Sequence, residues 1–141
     1  MAAVAAYLAD TSALARLRDP LVRAVLGPLI EAGLVATCAI VELEVRASAR
    51  NPSEYGQIAH DRHLAYEMLP TDDWVAQQAL DVHAALAVVG LHRAVKLPDL
   101  LIAATAQRHN VEVLHYDADF DRIAGITGQP ARWIVPAGTA A

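Results

Sequence analysis

With 141 residues, 55% of them hydrophobic and 19% charged, the chain has apolar material for one core and too little polarity for disorder. A net charge of −5 has the wrong sign for simple binding to a polyanion, so any nucleic-acid chemistry requires cations to reverse the charge locally. One cysteine, Cys38, excludes an intrachain disulfide, and in its apolar run it reads as a small buried hydrophobe.

In chain order, Tyr7–Ala9 reads as a short buried strand that ends at Asp10, and Ser12 as the cap of a short helix to about Leu17. Asp19-Pro20 pairs an N-cap with proline at the first helical position. It opens a helix to Ala32 that Pro28 should kink and Gly33 should stop. Leu34–Thr37 is a second strand, followed by a helix from about Ala39 to Ala49. Asn51-Pro52-Ser53 is a break, with Ser53 capping a helix to about Tyr66 and Met68-Leu69 forming a short strand. Asp72 or Asp73 caps a helix closing at Gly90, with Val75, Ala79, Val82, Leu86 and Val89 on one face. Pro98 opens a helix over Asp99–His109, with Asn110 suited to a left-handed cap. A strand over Val111–Tyr116, a helix over about Asp119–Ala124 and a strand over Trp133–Val135 complete the chain. The alternation predicts an α/β fold: a three-layer α/β/α sandwich with a central, mostly parallel sheet, in one domain over 1–136 with a flexible tail over 137–141. The first residues lack a basic n-region, and no run approaches the ~18 apolar residues of a membrane span, so a cytoplasmic protein without membrane contact is expected.

Open parallel sheets place their functional crevice outside the carboxyl ends of the strands. Four acids fall there. Asp10 ends the first strand, Glu42 lies in the first turn after the second, Asp99 opens its helix, and Asp117 ends the strand VEVLHY. Each alone has a plain structural reading as a cap, a turn or a solvated residue. Together they repel, and burying such charges costs several kcal/mol each without compensation. A divalent cation is the natural compensation. Mg²⁺ takes oxygen ligands, and metal-activated water can attack a phosphodiester in line. Removing the four acids from the count leaves a net charge of −1, so bound metal makes the site locally positive. Asp117, Asp119 and Asp121 mimic the start of an EF-hand loop. Arg122 stands where that loop needs glycine, and Gly128 where it needs a bidentate glutamate.

The same residues carry a family resemblance. Leu-Ala-Asp10-Thr11-Ser12-Ala-Leu, Val-Glu42-Leu-Glu44, Leu-Pro-Asp99-Leu-Leu-Ile-Ala-Ala and Leu-His-Tyr-Asp117-Ala-Asp119-Phe resemble, in order, the four acidic segments of PIN-domain proteins. Each motif alone is weak, but the ordered set is specific and spans nearly the whole chain. A free-standing PIN domain of this length most resembles the VapC toxins of VapBC toxin–antitoxin pairs. That resemblance implies a Mg²⁺-dependent endoribonuclease (Mn²⁺ substituting), a homodimer, an RNA substrate and a VapB-type antitoxin. It makes Asp10, Glu42, Asp99 and Asp117 the acidic quartet, with Asp119 the alternative fourth acid, and Thr11 or Ser12 the group that orients a carboxylate or a metal-bound water. Many members have threonine where this chain has His115, which could likewise donate to phosphate.

His92-Arg93-Ala-Val-Lys96, the most basic short segment, precedes Asp99 and is expected to touch the RNA backbone through His92, Arg93 and Lys96. His60 and His63 share a helix face but lack a third nearby ligand, so they read as solvated. A haloacid-dehalogenase-like phosphatase needs a second Asp where Ser12 stands, and a dinucleotide-binding first turn needs glycines that Asp10-Thr-Ser-Ala lacks. A non-catalytic PIN-like module and an RNA-processing PIN nuclease are the remaining alternatives.

Overall fold

The computed structural model describes residues 4–141; the first three residues of the expected 1–136 domain lie outside the described residues. Five strands, β1 (Tyr7–Ala9), β2 (Val35–Cys38), β3 (Glu67–Leu69), β4 (Glu112–His115) and β5 (Ala131–Trp133), form one sheet in the order β3-β2-β1-β4-β5. All four pairings are parallel, so the sheet is wholly parallel. The helices are α1 (Thr11–Leu14), α2 (Pro20–Glu31), α3 (Ala39–Arg46), α4 (Pro52–Ala65), α5 (Asp73–Val88), α6 (Leu97–His109) and α7 (Asp119–Thr127).

Successive strand residues feed opposite cores. Leu8, Ala36, Cys38 and Val113 pack with residues from α3, α5, α6 and α7 on one face. Ala9, Val35 and Leu114 pack with Val22 and Leu26 of α2 and with Ile134 and Val135 on the other. Both faces are covered, which is why these strands show no polar alternation. The chain winds outward from β1 in both directions, so the switch point lies between β1 and β4. There the two strands diverge from their following helices and leave a crevice at their carboxyl ends.

Local chemistry differs from the sequence expectation at several ends. Asp10, not Ser12, caps α1: its side chain accepts from the Ser12 N–H, and the helix closes at Leu14. Asn51, not Ser53, caps α4, because Pro52 takes the first helical position and Asn51 accepts from the Glu54 N–H. Asp72 is the cap of α5. α2 continues past Pro28 to Glu31, with Gly33 at φ +72° behind it. Asn110 adopts the left-handed conformation at φ 58°. The last strand lies earlier than expected, with Ala131 opposite Val113 and Trp133 opposite His115. Ile134 and Val135 lie beyond it and fill the second core. The segment expected as a tail folds back on Tyr116, whose hydroxyl accepts from the Gly138 and Ala140 N–H groups. Among the described residues no helix is long and apolar enough to cross a membrane.

Candidate active site

Asp10 leaves β1 at the switch point, its backbone N–H donating to the Leu114 carbonyl at 2.9 Å. Its carboxylate is buried and accepts from both the N–H and the hydroxyl of Ser12. The same hydroxyl accepts from the Tyr116 N–H at 2.8 Å, so Ser12 ties the end of β1 to the end of β4 and fixes Asp10 between them.

Asp99 sits in the first turn of α6, where a carboxylate suits the free N–H groups and the helix dipole. It is 3% exposed, and its Oδ2 has no hydrogen-bond partner among the described residues. Burial first, then the hydrogen bond it shares with Asp119 and the charge of Asp10, raise its pKa to about 8. Asp117 follows β4, and its Oδ1 accepts from the Asp119 N–H at 2.9 Å. Asp117 thereby satisfies the first N–H of α7. Asp119 turns inward, 3% exposed, and accepts from the Lys96 N–H, the Lys96 ammonium and Arg122. Oxygens of Asp99, Asp117 and Asp119 lie within 4.8 Å of one another.

Glu42 is not brought into this cluster. Thr37 donates to it at 2.6 Å, Arg62 at 2.7 Å, and Arg46 one turn on at 3.1 Å. Burial raises its pKa, but these three partners outweigh burial and hold it below the usual range. The reason is helical period. At about 100° per residue, positions 42 and 44 of α3 point roughly 200° apart. Glu42 faces Thr37 and Arg62 of α4, while Glu44 faces α1, accepting from the Thr11 hydroxyl at 3.1 Å. Partial burial, followed by the charge of Asp10, raises the Glu44 pKa despite the Thr11 bond, and the Lys96 charge opposes the rise. Glu44 is thus the acid of α3 that shares electrostatic space with Asp10. Arg46 four residues after Glu42 was the available sequence signal that Glu42 had its own partner.

The basic segment divides. Arg93 is exposed. His92 is half-buried, its carbonyl 3.1 Å from His83 Nε2. Lys96 lies inside the acidic cluster. His115 corrects the expectation that it could donate to phosphate: it is fully buried against Phe120 and Trp133, and its Nδ1 accepts from the Asp117 N–H. Burial holds it neutral, so it supports the Asp117 turn from beneath. His60 and His63 are exposed.

Two apolar surfaces flank the site. Leu14, Ala15, Leu17, Val45 and Ser48 line a cleft of about 350 Å³ that Thr11 and Glu44 join to the acidic rim. On the other side, Leu80 and Leu97, each 63% exposed, border a shallow groove between α5 and α6.

Comparison with known proteins gives a family model, described as PIN domain, that matches residues 7–126. Ribonuclease VapC21 of Mycobacterium tuberculosis is 47% identical over 134 residues, covering 95% of this chain and 97% of that protein. Among solved structures, DNA-bound VapBC from Salmonella typhimurium has the same fold, with TM-score 0.74 at 17% identity over 94% of this chain and all of that one. VapBC-5 of M. tuberculosis, a member of the VapBC family of toxin–antitoxin systems, matches with TM-score 0.61 at 26% identity, covering 90% and 96%.

Proposed function

From the premise that the chain belongs to the PIN-domain family, with VapC ribonucleases among its relatives, we propose that it is a divalent-metal-dependent endoribonuclease and the toxin of a toxin–antitoxin pair. The observation that carries this reading is the convergence of Asp99, Asp117 and Asp119 at the sheet's switch point, with one buried Asp99 oxygen lacking a partner. A buried carboxylate oxygen without a partner, as at Asp99, costs the fold stability unless a cation meets it. The donor set is all carboxylate oxygen, which suits Mg²⁺, with Mn²⁺ as substitute.

Asp99, Asp117 and Asp119 would hold the ion, with Asp10 beside them. Glu44 rather than Glu42 would supply the acid from α3. When bound, a divalent ion lowers the pKa of a ligand water and offsets phosphate charge. The protein supplies position. Ser12 fixes Asp10, Asp117 is braced by His115, and the first turn of α6 presents Asp99 beside N–H groups that favour anions. Arg93, exposed three residues before Lys96, would meet RNA phosphates, while Arg122 is engaged by Asp119. Glu42 holds α3 to α4 through Arg62 and so keeps Glu44 in place.

The partner readings rest on surfaces and relatives. An antitoxin segment would fill the Leu14–Val45 cleft and set a basic side chain among the acids, a charge-assisted pairing. A second copy would cover Leu80 and Leu97 in a homodimer.

The test is cleavage of total cellular RNA by purified, antitoxin-free protein, with the new ends mapped. Discrete cuts that require Mg²⁺ or Mn²⁺, vanish in EDTA and vanish with Asp99→Asn are expected. Metal-independent cutting, or none by folded and metal-loaded protein, would refute the reading.

A further inference from the structure

Lys96 is the only lysine in the chain; the other ten basic residues are arginines. That one lysine stands in the acidic cluster. Its Nζ is 2.6 Å from Asp117 Oδ2, 2.8 Å from Asp119 Oδ2 and 3.6 Å from Asp99 Oδ2. Its backbone N–H also donates to Asp119 Oδ2, at 2.9 Å. The residue is therefore anchored to one carboxylate at its backbone while its ammonium bridges the group, and its side chain stays 61% exposed.

The choice of lysine here has chemical content. An arginine would grip a carboxylate with two parallel bonds from a rigid, weakly hydrated fork. A lysine is a compact, strongly hydrated charge on a flexible stem, and water competes well for it. Its exposed stem gives it a path out. The three carboxylates it touches are those whose oxygens lie within 4.8 Å of one another. An ammonium and a divalent cation cannot both sit among them, since like charges at such distances repel strongly in a partly buried site.

We infer that Lys96 is an exchangeable internal counterion: its ammonium and the divalent cation occupy the Asp99–Asp117–Asp119 cluster alternately. Lys96 thereby sets the metal concentration at which the site loads. Without metal it neutralises carboxylates that would otherwise repel one another. When metal enters, the ammonium swings to solvent and stays at the rim, held there by the backbone bond to Asp119. This inference rests on the metal-dependent reading above, and its readouts separate the two.

Mn²⁺ binding is measured by electron paramagnetic resonance on wild type, Lys96→Met and Lys96→Arg. Lys96→Met is expected to bind Mn²⁺ at least about tenfold tighter, and Lys96→Arg more weakly than wild type. In EDTA, Lys96→Met should melt below wild type, and saturating Mn²⁺ should close the gap. Affinity that is equal or weaker in folded Lys96→Met overturns the exchange. Should that variant not fold in EDTA, wild-type protein labelled with ¹⁵N-lysine gives a single side-chain ammonium signal. Mg²⁺ should shift it and speed its exchange with water; a signal unchanged at saturating Mg²⁺ overturns the inference. Mn²⁺ that binds none of the proteins overturns the metal-dependent reading as well, whereas Mn²⁺ that binds all three alike overturns the exchange alone.

Discussion

Replacing Asp99 with Asn should make the protein more stable in EDTA while abolishing metal binding and cleavage. Asp99 is 3% exposed, its Oδ2 lacks a partner, and Lys96 Nζ stands 3.6 Å away, beyond hydrogen-bond range. Burial and the neighbouring Asp119 and Asp10 raise its pKa to about 8. An unfolded Asp titrates near ~3.9. Between those values the native protein binds the extra proton, so its stability falls as pH rises through the window. Asn carries no such charge. The difference between variant and wild type should therefore be small at about pH 4, grow towards pH 8 and level off above it. Asp119 shifts in the opposite direction and Lys96 returns part of the penalty, so a gain on the order of 2 kcal/mol by pH 8 is expected. For a chain of this length that is roughly 6–8 °C in Tm, at about 3–4 °C per kcal/mol. Thermal melts of both proteins in EDTA at several pH values measure it. A variant that melts lower than wild type at pH 8 would show that Asp99 is there to cap α6 rather than to meet a cation.

Glu44→Gln should lower cleavage at least about a hundredfold with Tm nearly unchanged, whereas Glu42→Gln should cost about 2–4 kcal/mol of stability by weakening the pairing that neutralises the largely buried Arg62. Parallel melts and cleavage assays decide this, and the reverse pattern would return Glu42 to the site. Ser12→Ala removes a bond to Asp10 and orphans the Tyr116 N–H, so a loss of about 1–2 kcal/mol together with weaker Mn²⁺ binding is expected by melting and titration. Cys38 is fully buried and burial pushes its thiol up, so it should react with a thiol reagent only at the unfolding rate; fast labelling of native protein would contradict its packing. Leu80→Asp should convert a dimer to a monomer in light scattering, and an unaltered mass would move the copy interface off the groove between α5 and α6.

Most of the fold was legible in the sequence because its signals are local. Asp19-Pro20, four of the five expected apolar positions of α5 (Val75, Ala79, Val82 and Leu86) and Asn110 behind α6 act within a few residues and place their elements close to expectation, whereas Val89 lies beyond α5 and is 58% exposed. The exceptions have local competitors. Pro52 occupied the first helical position and gave the cap to Asn51, and β5 took its register from β4 rather than from its own hydrophobicity.

The placement of the candidate acids was legible in outline for a topological reason. Acids that follow strands or open helices share the carboxyl rim of a parallel sheet whatever their side chains do, so Asp10, Asp99 and Asp117 could be named from the chain alone. Partnership was not legible, because it depends on residues far apart in sequence. Arg62 takes Glu42 from twenty residues away, and Thr11 marks Glu44 from thirty-three. Lys96, in sequence a basic residue near the rim, reaches Asp119 twenty-three residues on and becomes the cluster's own cation. His115 reads as a donor at a strand end until the sheet buries it under Phe120 and Trp133. Sequence determined which residues arrive at the rim, through strand order and helix starts. Only tertiary packing decided which charge each of them meets there, because a carboxylate's role is set by whatever lies within a few ångströms of it.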